Sequence, residues 1–172
     1  MADAPHFEVI RPAFPQKNHF VTKCQNELCI FIAMNAEIID RFPSFLKMAL
    51  AERLVSFDGR NVETNFEPVC VFRKLRGTSV EDYDFLSHAE RQGLEKLHKW
   101  PHKNDLSYYS CSFFTDLAEL KSCFNSKKQL TFARGQLNKT HGAISRGVSS
   151  HIDCWLYENS KIKENFEVCH EH

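Results

Sequence analysis

The chain carries no excess of charge, because 22 Lys and Arg are matched by 22 Asp and Glu, for a formal net charge of zero. A global electrostatic pull toward nucleic acid or membrane is therefore excluded, and any basic surface must be local. No apolar run approaches membrane-spanning length; the longest, Leu28 to Met34, suits a strand or a turn of helix. No apolar segment follows the polar start MADAPHFEV, and there is no internal repeat or low-complexity tract. A Gly-rich phosphate loop and a nucleophile elbow are also missing. Seven cysteines are an odd number, which argues for reduced thiols rather than a disulfide framework. The expectation is an intracellular protein, cytoplasmic or nuclear, with no membrane partner. Asn138-Lys139-Thr140 matches a glycosylation acceptor, but nothing in the start resembles a secretory signal that would bring it into use.

What is present is enough for one globular unit. The 172 residues are 42% hydrophobic and include 15 Phe, consistent with a single domain built on an aromatic core. Residues 1–17 hold three prolines and no period, so they read as a loose arm ahead of one domain over 18–172. The stretch CIFIAM allows strand or helix. A helix is expected from Ser44, with Leu46, Ala49, Leu50, Arg53, Leu54 and Phe57 on one face and a stop at Asp58-Gly59. Asn61 to Leu75 reads as extended around Val69 and Val71, and Gly77 to Asp84 as a polar loop. Ser87 is placed to cap a helix from His88 to Trp100, ended by Pro101.

Leu106 to Arg134 then reads as strand, helix, strand. Leu106 to Ser112 makes the first strand, Phe113, Leu117, Leu120 and Phe124 repeat at helical spacing, and Gln129 to Arg134 makes the second. Two strands joined by such a helix are expected to be parallel, with Ser112 at a strand end of the kind where α/β sheets place their chemistry. A short helix near Ala143 follows, then a strand over Ser149 to Tyr157, which alternates Ile152, Cys154 and Leu156 against His151, Asp153 and Trp155. A helix over Ser160 to Cys169 closes the chain. The expected fold is a three-layer α/β/α domain on a five-stranded mixed sheet, antiparallel at Asn61–Leu75 and parallel from Leu106 onward.

Two segments carry chemistry. His88-Ala89-Glu90 opens a helix, and Ser110-Cys111-Ser112-Phe113-Phe114-Thr115-Asp116-Leu117-Ala118-Glu119 spans a strand-to-helix junction. Together they resemble the H-x-E and S-x-S-P-C-x-x-C-A-E motifs of the AID/APOBEC-like polynucleotide cytidine deaminases, with Ser110, Ser112, Ala118 and Glu119 matching. The strand LTFAR and the closing segment HIDCWLYENSKIKENFEVC resemble later elements of that family, so the likeness spans roughly Ser44 to Cys169. It implies a deaminase-like fold in which His88 is a zinc ligand and Glu90 the proton shuttle.

Where the family has two Cys ligands this chain has Phe114 and Leu117, with Phe113 in place of the Pro. Hydrocarbon side chains cannot bind zinc. His88 and Glu90 are accordingly expected to be vestigial, side by side with Phe114, and no cofactor is expected. Cys111 and Cys123 lie off the lost positions and read as core thiols. The alternative is an active deaminase holding zinc with a non-standard ligand set; a third reading is an unrelated α/β protein-interaction domain.

A basic group, Lys127, Lys128, Arg134, Lys139 and Arg146, with His141 among it, is expected at the strand ends. Gly135-Gln136-Leu137-Asn138 offers no aromatic on which a base could stack, so binding of single-stranded DNA or RNA there is expected to be weak and electrostatic. A protein partner is the other expectation. Cys24 and Cys29, with His19 nearby, read as strand thiols, and the tail Cys169-His170-Glu171-His172 as a polar end.

Overall fold

Alternation along β5 (His151–Leu156) sets the two sides of the fold, with Ile152 and Cys154 buried on one sheet face and Trp155 on the other. The structure is a computed structural model and describes residues 36–93, 96, 99–124 and 130–169. From Ile38 onward these residues belong to one compact unit. The expected arm 1–17, the domain start at residue 18 and the pair Cys24/Cys29 lie outside the described residues.

The remaining strands are β1 (Val69–Lys74), β2 (Cys111–Phe114), β3 (Phe132–Leu137), β4 (Gly142–Arg146) and β6 (Phe166–Val168). They form one six-stranded sheet in the order β4-β5-β2-β1-β3-β6, and every neighbouring pair is antiparallel. The chain therefore has a mixed α/β fold, but not the expected five-stranded mixed sheet. β2 and β3 do run in the same direction, as the strand–helix–strand reading required. They are not neighbours, because β1 is inserted between them and pairs antiparallel with both.

The core divides by sheet face. Val71, Phe113, Ala133, Leu137, Ile144 and Cys154 pack on one face under Phe85, Ile162 and Phe166. On the opposite face, helix α1 (Ser44–Ala51) lays Leu46 and Ala49 against Trp155 and Ala143. Helix α3 (Leu117–Ser122) lays Leu120 against Phe114 and Phe132. Helices thus cover one face, and among the described residues the other is covered by the 3-10 turns Asp82–Phe85 and Ile162–Asn165. The expected second helical layer is not seen among the described residues.

Local chemistry accounts for the other departures. Arg53 has φ 56, and the Leu54 amide returns to the Ala49 carbonyl at 2.9 Å, so α1 ends well before Asp58. Helix α2 (His88–Gln92) stops at Gly93, whose φ is 90, short of the expected Trp100. Asp105 accepts the Ser107 amide and caps a 3-10 turn over Leu106–Tyr109, which postpones the strand to Cys111. The segment around Ala143 is β4, not a helix. A Cβ on Gly142 would collide with the Trp155 carbonyl oxygen, so this edge pairs closely only with glycine there. The expected C-terminal helix is a 3-10 turn followed by β6, where Phe166 is seated on Gly135; a Cβ on that glycine would come within 2.5 Å of the ring. Among the described residues no helix is long and apolar enough to cross a membrane.

Candidate functional site

Strands β1 and β2 pair at a single register position, Phe72 opposite Phe114, and then part. On its other side β1 stays paired with β3 through Lys74, and the Leu75 amide still donates to the Thr131 carbonyl at 2.9 Å. The opening is bridged by Arg73, a buried side chain. Its Nε donates to the Asp84 carbonyl at 2.5 Å and its Nη1 to the Ser112 carbonyl at 2.6 Å. The guanidinium lies over the rings of Phe113 and Phe85, at 5.2 and 5.9 Å from their centroids. A side-chain bridge replaces the ladder here, and a cleft of about 730 Å³ opens beside it.

Helix α2 brings two more groups to this cleft. Its start is locked by a capping box: Glu90 N donates to Ser87 Oγ at 3.2 Å, and Ser87 N donates to Glu90 Oε2 at 2.8 Å. Arg91 Nε donates to the Ser87 carbonyl at 3.1 Å, which directs the guanidinium back along the helix. His88 stacks on Tyr108, centroids 5.3 Å apart. Arg76 enters from just beyond β1 and lies 4.8 Å over Tyr83. The lining carries Arg73, Lys74, Arg76 and Arg91 against one carboxylate, that of Asp84. Asp84 is itself engaged by backbone amides, Oδ1 with Arg76 N and Oδ2 with Glu81 N, each at 3.0 Å.

None of the ion pairs among the described residues involves Arg73, Arg76 or Arg91. Their fields therefore act on one another. Partial burial, and then Arg91, Arg73 and Arg76, hold the His88 imidazole below its ordinary pKa. Burial, and then Arg73 and Arg76, lower Arg91 as well. Arginine stays protonated throughout the physiological range, so the cleft is a concentration of uncompensated positive charge. An anion placed there would relieve the repulsion.

A second hollow of about 480 Å³ adjoins the first and shares His88 and Ser112 with it. Its floor is the sheet, with Ser112 opposite Asp153 and Phe114 opposite His151. It carries two carboxylates, Asp105 and Asp153, against one guanidinium, that of Arg60. Asp153 accepts from Ser110 Oγ at 2.7 Å, and Arg60 spans Asp105 and Asp153 at 3.5 Å each. Hydrogen bonds from Ser107 and the nearby Arg60 hold the Asp105 carboxyl below its ordinary pKa, so it is ionised at neutral pH.

The sequence-predicted residues separate into two groups. His88 and Phe114 line the same cleft, but Phe114 is the last residue of β2 and not the start of a helix. Leu117 opens α3 and packs with Phe114 and Leu120. Zinc does not fit these residues: Glu90 is engaged in the helix cap, and among the described residues no three His, Cys, Asp or Glu side chains are placed to hold a metal ion. Cys111 is buried with its thiol 2.7 Å from the Phe85 carbonyl, and burial pushes its pKa up. Cys123 lies exposed at the end of α3.

The described members of the expected basic group each hold a separate partner. Arg134 on β3 donates to Cys70 Sγ at 3.2 Å, Lys139 to Asn65 at 3.1 Å, and Arg146 pairs with Glu63 at 3.0 Å. β3 and β4 are four positions apart in the sheet, roughly 19 Å at ordinary strand spacing. His141 is buried in the turn between these strands in sequence, held by the Asn138 amide and by Asn165. Lys127 and Lys128 lie outside the described residues.

The residues that do converge, Arg73, Arg76 and Arg91, were not among those picked from the sequence. The run Arg73-Lys74-Leu75-Arg76 before Gly77 is the signal that could have drawn attention to them. Comparison with protein-family models gives no match, and comparisons with curated proteins and with solved structures give none either.

Proposed function

We propose that this chain binds without catalysis, and that its ligand is a single-stranded nucleic acid held by its phosphates in the β1–β2 cleft. The observation that carries this reading is the set Arg73, Arg76 and Arg91 around one cleft with no ion-paired carboxylate. Lack of catalysis rests on the donor set: Glu90 is tied to the Ser87 amide, and Phe114 and Leu117 stand where thiolates would be needed. The resemblance of residues 88–90 and 110–119 to polynucleotide cytidine deaminases is the ground for choosing single strands among polyanions. In that reading the chain is a degenerate deaminase-like member in which α1 and α3 cover one face of the sheet. The active-zinc alternative has no observation of its own in its favour; the antiparallel sheet, with β1 between β2 and β3 in place of the expected parallel pair, favours the unrelated protein-interaction alternative.

The test is binding of fluorescent single strands by purified full chain over a salt series. Each phosphate charge neutralised steepens the log–log slope by about 0.7. Arg76→Gln with Arg91→Gln should weaken binding and make the slope shallower by more than one, while Arg134→Ala with Lys139→Ala should change neither. Binding that ignores salt, or is lost only in the second pair, would overturn the reading.

A further inference from the structure

The two hollows form one groove with opposite ends. Arg73, Arg76 and Arg91 occupy one end, the carboxylates of Asp105 and Asp153 with the single Arg60 between them the other, and His88 and Ser112 lie at the seam, so two carboxylates against one guanidinium leave the second end acidic. Such polarity selects both a ligand and its orientation. An anionic group is drawn to the guanidiniums and repelled from the acidic end, where hydroxyl or amino donors are accepted instead.

We infer that the groove takes a terminal nucleotide, with its phosphomonoester among Arg73, Arg76 and Arg91 and its sugar or base toward Asp105 and Asp153. This inference rests on the proposed binding of single strands and adds which part of the strand is recognised. An internal phosphodiester carries a single negative charge and continues on both sides. Running through the groove, it would carry a neighbouring phosphate toward Asp105 and Asp153. A phosphomonoester carries about −1.5 to −2 charges at neutral pH and offers three free oxygens. That charge and donor demand match three guanidiniums on one cleft. Arg73 is held by its bonds to the Asp84 and Ser112 carbonyls and supplies mainly charge, while Arg76 and Arg91 approach from the end of β1 and from α2 and bring the remaining Nη donors.

The experiment compares short single strands with an internal fluorophore that bear a 5′-phosphate, a 3′-phosphate or neither, on the full chain. One of the phosphorylated strands is expected to bind at least about tenfold more tightly than the strand with neither. Arg76→Gln and Arg91→Gln should each erase that difference, and Lys47→Gln, on α1, should keep it. A free nucleoside monophosphate should compete, and should do so better than inorganic phosphate, because only the former reaches the acidic end.

Equal affinity for all three strands overturns the end-recognition inference and leaves strand binding intact. Competition by inorganic phosphate as strong as by the nucleotide removes the role of Asp105 and Asp153 and overturns it too. A monophosphate that binds while no strand does supports the groove assignment, identifies a free mononucleotide as the source, and overturns the strand reading. Failure of every strand and of the monophosphate overturns both.

Discussion

Replacing Arg73 by Met tests whether one side chain holds the split in the sheet. Methionine keeps the aliphatic stem but ends about where Nε begins, so it removes the guanidinium, its placement over Phe113 and Phe85, and every side-chain N–H. Two carbonyls, those of Asp84 and Ser112, then lose their donors. Hydrogen bonds from a charged donor contribute about 1.5–3 kcal/mol each, which sets an upper range of about 3–6 kcal/mol. Two effects reduce it. The Ser112 carbonyl is only partly buried, so water can replace its donor. Removing one of three neighbouring guanidiniums also relieves repulsion with Arg76 and Arg91. A net loss of about 2–4 kcal/mol remains, or a fall in Tm of about 6–12 °C for a chain of this size.

Thermal unfolding followed by circular dichroism reads this directly, and Arg73→Lys separates charge from geometry. Lysine keeps the charge but cannot fork between two carbonyls, so it should lose most of the same stability. If Arg73→Met has an unchanged or higher Tm, the guanidinium is not what bridges β1 and β2. If only the Met variant is destabilised, the charge matters and the two-carbonyl bridge does not.

Two further outcomes follow from the same geometry. The folded chain holds His88 below its ordinary pKa of 6.5 through burial against Tyr108 and through Arg91, Arg73 and Arg76, and burial lowers His141 also. The unfolded chain therefore binds more protons just below that value, and stability should fall as pH drops through about 6.5. An anion in the cleft offsets the cations and favours protonated His88. Sulfate, whose charge is constant here, should thus raise Tm more at about pH 5.5 than at about pH 7.5; the same difference between the two pH values in His88→Gln would refute the linkage. Glu90→Ala should cost about 1 kcal/mol by removing the capping box, with Glu90→Gln close to wild type. A deaminase activity present in the wild type and lost in Glu90→Gln would restore the proton-shuttle role to this residue.

Local features were legible wherever a side chain acts on its own neighbours in sequence. Ser87 and Glu90 announce the start of α2 by their spacing, and the observed capping box is that interaction. Period-two alternation placed β5, and the extended stretch around Val69 and Val71 placed β1. Short elements escaped for the same reason. β4 has five residues and β6 three, too few to display a period against the background of a helix or a turn. The strand–helix–strand reading of Leu106 to Arg134 found roughly the right elements and the right relative direction, but adjacency is a property of the sheet and not of the segment.

What the sequence determined alone, then, is which stretches bury which side chains: the Phe-rich core, the apolar face of α1, the cap of α2. Tertiary structure decided the partners. β1 takes the place between β2 and β3, which turns an expected parallel pair into an antiparallel sheet and carries Arg134 and Arg146 far apart. The same insertion leaves β1 and β2 paired at one position only, with Arg73 spanning the opening to Ser112, 39 residues away. Arg91 reaches that opening from a helix whose own capping residue orients it. No local pattern marks such a site, because its charges are distant in sequence and converge only after hydrophobic burial has chosen the order of the strands.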